Sequence, residues 1–77
     1  MVRVKGRIFK AEDRAGWAWH YTVAVDGVVV LADNTGDYEV IREACLEAVA
    51  VAVYVTCAGQ RFKWSWEEAV DAVEEPQ

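Results

Sequence analysis

The stretch from Trp17 to Val25 alternates large apolar residues with small or polar ones and runs directly into Asp26-Gly27 and a second apolar run, Val28 to Leu31. Strict alternation places Trp17, Trp19, Tyr21, Val23 and Val25 on one face of a strand. Asp-Gly is the pair that a two-residue type I′ hairpin demands, because both central residues need positive φ. A hairpin with one aromatic face is therefore fixed early, and the rest of the chain must cover that face.

The preceding segment alternates in the same way. Val2, Val4, Gly6 and Ile8 oppose Arg3, Lys5, Arg7 and Phe9, which predicts a half-buried first strand over residues 2 to 10. Glu12 to Gly16 reads as the following turn, ending in a glycine that can take positive φ. Strand two spans Trp17 to Val25 and strand three Val28 to Ala32, making an antiparallel meander that Asp33-Asn34-Thr35-Gly36 breaks.

Asp37 is placed as the N-cap of a helix, with Glu39 in the first turn where the helix dipole favours a carboxylate. Neither Gly nor Pro interrupts Tyr38 to Ala58, and Gly59 stands where a C′ residue belongs. The first half is amphipathic: Glu39, Arg42, Glu43 and Glu47 oppose Ile41, Ala44, Cys45 and Ala48. Across residues 49–57 the pattern is ambiguous. Val49, Val51, Val53 and Val55 recur at a period of two that would suit a strand, while the lack of any turn signal after Glu47 favours continued helix. Such a helix is apolar all round and needs cover on two sides.

Gln60 to Trp64 reads as a short extended segment, with Phe62 and Trp64 facing away from Arg61 and Lys63. Ser65 and Glu68 have the spacing of a capping box, which predicts a last helix from Trp66 to Glu74 ended by Pro76. The expected fold is thus a single small α+β domain over residues 1–77. A three-stranded antiparallel meander packs on a long helix, followed by a short fourth strand and a C-terminal helix (βββ-α-β-α).

At 77 residues only a modest core can form, yet 55% of the chain is hydrophobic and 12% aromatic, with four Trp. That surplus predicts closure by a second copy. The net charge of −5 argues against nucleic-acid binding by bulk charge. Its distribution is uneven, however: Arg3, Lys5, Arg7, Lys10 and Arg14 lie near the start, and Glu67, Glu68, Asp71, Glu74 and Glu75 near the end, so the two groups can attract each other across the fold.

Asp13-x-x-Gly16-Trp17-x-Trp19, the Asp26-Gly27 turn, the third strand and the capped helix together resemble the small YegP-type domain, a family without a settled activity. The similarity covers about residues 7 to 50. It departs at the helix start, where Asp37-Tyr38-Glu39-Val40 replaces the family's Ser, Lys and Ala residues, and residues 51 to 77 lie outside the pattern. The resemblance implies the fold and dimer or tandem packing rather than chemistry. The compact, Ala- and Val-rich chain also resembles small accessory proteins of actinobacterial phages.

Catalytic signatures are absent. His20 has no Ser, Cys or Asp at a recognised spacing, no two of Asp13, Asp33 and Asp37 stand out as a carboxylate pair, and Asn34-Thr35-Gly36-Asp37 puts an acid where a phosphate loop would need none. Cys45 and Cys57 form no CxxC and read as buried apolar thiols, so no metal or cofactor is expected. The opening Met-Val-Arg-Val-Lys has no signal-peptide character, and the uncharged run 48–60 is shorter than the roughly 20 residues of a membrane span, which points to a cytoplasmic protein.

The resulting expectation is a non-enzymatic protein–protein interaction or regulatory module acting as a homodimer, with Val53, Tyr54, Trp64 and Trp66 at the interface. One alternative is a nucleic-acid binder using a basic sheet face of Arg3, Lys5, Arg7 and His20. Another is an acidic mimic of nucleic acid acting through the C-terminal helix. Trp17, Trp19 and Tyr21 are read as core rather than as a base-stacking platform, since Val23 and Val25 continue their face.

Overall fold

The computed structural model describes residues 1–14, 16–35 and 37–69. Four strands and one helix follow in the order β1 (Val2–Asp13), β2 (Gly16–Val25), β3 (Val28–Thr35), α1 (Tyr38–Cys57) and β4 (Phe62–Ala69). The strands form one mixed sheet of order β3-β2-β1-β4. β1 to β3 make the expected antiparallel meander, and α1 carries the chain back so that β4 enters parallel to β1.

Both hairpin residues adopt the conformations their identities anticipate, Asp26 at φ 50° and Gly27 at φ 87°. Asp26 also anchors the start of β1. Its amide donates to the Arg3 carbonyl at 2.7 Å and its Oδ1 accepts from the Arg3 amide at 2.9 Å. Opposite Val23 and Ala24 the ladder slips by one residue, leaving Val30 as the extra residue of a bulge.

Asp37 caps α1 through its side chain, which accepts from the amides of Glu39 and Val40, and Gly59 at φ 83° follows the last turn. Helical period prevails over the valine alternation. Ile41, Cys45, Ala48, Val49, Ala52 and Cys57 are buried on one stripe, whereas Val51 and Val55 face out. The stripe meets Val4, Ile8, Tyr21 and Val23 from the sheet, and Val2, Trp19, Val25, Leu31 and Trp66 pack around this core. Burial among them pushes the Cys45 thiol up to about 11.

Gly6 marks a close approach of α1 and β4 to β1. A Cβ built there would stand 2.9 Å from Val49 Cγ2 and 3.1 Å from two ring carbons of Trp66, so the bare backbone lets helix and indole close over β1.

Four expectations need correction. The segment from Trp66 to Ala69 is strand, not the start of a C-terminal helix, and residues 70–74 lie outside the described residues. Phe62, Trp64 and Trp66 continue an alternation against Lys63, Ser65 and Glu67, and pairing with β1 satisfies it better than a capping box could. β1 runs on to Asp13 and β3 to Thr35, both past their expected ends, because each gains ladder bonds to β2. Trp17 is 50% exposed, since it lies opposite Glu12 near the far end of the hairpin, and of its strand face only Tyr21 and Val23 are buried.

Candidate functional site

Two surfaces gather the residues singled out in the sequence. The first is the flank where α1 ends and β4 forms an edge of the sheet. α1 lies over β1, β2 and β3, and β4 lies beyond it. Tyr54 is 85% exposed, Val55, Phe62 and Trp64 are also exposed, and Val53 is half-buried against the core. Val53, Tyr54, Val55, Ala58 and Phe62 line one shallow depression. Trp66 is half-buried and packs on the core, and Trp64 meets it edge-to-face at 6.2 Å between ring centroids. The four expected interface residues therefore occupy one side of the molecule, three lining or bordering the exposed strip and Trp66 forming its inner wall.

The helix-facing end of β4 is held by a polar cluster that sequence reasoning missed. Tyr38 Oη donates to Glu68 Oε1, and Trp66 Nε1 donates to Glu68 Oε2 at 2.9 Å. These two bonds hold the Glu68 carboxyl below its ordinary range, and the same Glu68 bond raises the Tyr38 phenol. Tyr38 also packs edge-to-face on Trp19 at 4.9 Å. Residues 38 and 68 are thirty apart in sequence, and only the strand assignment of β4 could have brought them together.

The second surface is the open face of the sheet, opposite the helix. Register places Arg3, Lys5, Arg7 and Phe9 of β1 there, beside His20 and Ala24 of β2 and Lys63, Ser65 and Glu67 of β4. Lys5 Nζ lies 2.9 Å and Arg7 Nε 3.9 Å from Glu67 Oε1, and the Lys5 bond lowers the Glu67 carboxyl. The anticipated attraction between the two charge groups thus falls on adjacent strands. Arg3, Lys5, Ala24, Gly27, Lys63 and Ser65 line a cavity of about 420 Å³. Further along, His20 stacks on Phe9 at 5.4 Å, and the Arg7 guanidinium lies 4.7 Å above the same Phe9 ring. His20 Nε2 is shielded from solvent and has no hydrogen-bond partner among the described residues.

Among the described residues no group of three or more His, Cys, Asp or Glu could hold a metal ion, and no helix is long and apolar enough to cross a membrane. Comparison with protein-family models, with curated proteins and with solved structures finds no match for this chain.

Proposed function

We infer that this chain is a small non-catalytic interaction module that works as a homodimer through the flank formed by β4 and the end of α1. The observation that carries this reading is the exposure of Phe62, Trp64, Tyr54 and Val55 together beside an edge strand. A half-exposed aromatic side chain leaves roughly 100 Å² of apolar surface in water, and burying it is worth about 2.5 kcal/mol. Several such groups on one flank, in a domain with few other reserves, favour association over a lone protomer.

Light scattering at micromolar concentration tests it. The expected mass is twice the 8.6 kDa of the chain. Trp64→Lys should return the protein to one chain mass with its circular dichroism unchanged. A wild-type protein that stays monomeric throughout that range refutes the reading.

A second reading is supported by the cavity among Arg3, Lys5 and Lys63 and by the Arg7–Phe9–His20 stack on the open face. Cations that track a backbone beside an aromatic that accepts a base suit single-stranded nucleic acid. Against it stands the net charge of −5. Binding of a labelled oligonucleotide that weakens steeply with salt and disappears in Arg3→Glu/Lys5→Glu would favour this reading. Of the five carboxylates behind the mimic reading, Glu67 and Glu68 stand in β4, each engaged within the fold, and Asp71, Glu74 and Glu75 lie outside the described residues.

A further inference from the structure

We propose that two copies of this chain join by antiparallel pairing of their β4 strands about a two-fold axis at Ser65, forming one continuous eight-stranded sheet. The proposal rests on the dimer reading above and supplies its geometry.

The first support is the phase of the hydrogen bonds. The Val2 amide donates to the Arg61 carbonyl at 3.1 Å, and Val2 is opposite Phe62. In a parallel ladder this means that Arg61, Lys63, Ser65 and Glu67 turn their backbone groups toward β1. Phe62, Trp64, Trp66 and Glu68 consequently point theirs outward, where no described strand meets them. An incoming antiparallel strand can pair only through these outward residues. A two-fold axis at Ser65 satisfies that condition, setting Trp64 against the partner's Trp66 and Phe62 against the partner's Glu68. It pairs the strand from Phe62 to Glu68 over its whole length.

The second support is side-chain complementarity in that register. On the open face Lys63 falls opposite the partner's Glu67, twice by symmetry, and Ser65 meets its own copy. On the helix face Trp64 and the partner's Trp66 form cross-strand aromatic pairs, which are among the favourable ones. Shifting by two residues in one direction sets Lys63 against Ser65 and carries Glu68 opposite Gln60, beyond the strand. Shifting in the other sets Trp64 against Glu68 and Ser65 against Glu67. Neither alternative retains the reciprocal Lys63–Glu67 pairs.

The third support is the contrast with the other edge. β3 carries the Val30 bulge, a device that spoils edge-to-edge pairing, whereas β4 runs in unbroken register from Phe62 to Ala69.

Ser65 then occupies a non-hydrogen-bonded position on the axis, where opposing Cβ atoms come closest and a disulfide fits. Cys45 and Cys57 are buried and do not compete. Under mild oxidation the Ser65→Cys protein should cross-link to a dimer at concentrations where Lys63→Cys, displaced from its copy, does not. Lys63→Glu should raise the dimer dissociation constant about tenfold by setting two carboxylate pairs face to face. Scattering on the wild-type protein separates the two ways of failing. A monomer overturns both this pairing and the dimer reading. A wild-type dimer in which Ser65→Cys stays uncross-linked, or Lys63→Cys cross-links equally well, overturns the β4 pairing alone.

Discussion

Replacing Gly6 by alanine probes the point where helix, β1 and β4 meet. The added methyl would lie 2.9 Å from Val49 Cγ2 and 3.1 Å from the Trp66 ring, against an ordinary carbon–carbon separation of roughly 3.5–4.0 Å. Val49 is buried and sits in a helix, where a β-branched side chain has one strongly preferred rotamer, so it yields little. Trp66 is only half-buried and is the neighbour that must move. Overpacking of this kind costs about 1–3 kcal/mol, and the lower chain entropy of unfolded alanine returns about 0.4–1 kcal/mol. The net loss is about 1–2 kcal/mol, which for a domain of this size lowers Tm by about 5–15 °C. Thermal melts of Gly6→Ala, Val49→Ala and the double variant form a cycle. Removing Val49 Cγ2 relieves the clash, so the double variant should be more stable than the sum of the singles by about 1 kcal/mol. A Gly6→Ala protein that melts at or above the wild type, or a cycle additive within about 0.5 kcal/mol, refutes the close approach.

Three further outcomes follow from the packing and the ion pairs. Trp19→Ala removes a half-buried indole packed on Tyr38 and should cost about 2–3 kcal/mol, less than a fully buried Trp, as urea melts would report. Neither Cys45 nor Cys57 should react with a thiol reagent in the native protein near neutral pH, and both should react in denaturant; prompt labelling of the native state would contradict their burial. Glu67 and Glu68 have carboxyls lowered from 4.5, so their contribution to stability is present above that pH and lost as pH falls below it; Glu67→Gln/Glu68→Gln should flatten the acid limb of a Tm-against-pH curve.

The elements legible in the sequence are those written in local chemistry. Asp26-Gly27, the Asp37 cap and Gly59 each specify a backbone conformation by residue type, and the structure has each of them. The fourth strand was harder because two local signals compete there. Ser65 and Glu68 have capping-box spacing, while residues 62–67 alternate, and the choice depends on β1 offering Lys5 and Arg7 to Glu67 and the bare Gly6 to Trp66. Those partners are some sixty residues away in sequence, beyond any window of periodicity. The basic face followed directly from alternation in β1, but the cavity with Lys63 required the strand order. The Tyr38–Glu68 bond was out of reach for the same reason.

The two readings make opposite demands on one residue. Lys63 borders the cavity with Arg3 and Lys5, where a nucleic-acid backbone would need its charge free. In the β4-paired dimer the same ammonium faces the partner's Glu67, while Lys5 and Arg7 of that face lie against Glu67 of their own chain. Lys63→Glu therefore separates the readings in a single protein. If dimerisation is the function, self-association of the variant weakens about tenfold and oligonucleotide affinity is absent before and after. If nucleic-acid binding is the function, the oligomeric state is unchanged while affinity falls and the salt dependence becomes shallower, because one phosphate contact has been lost.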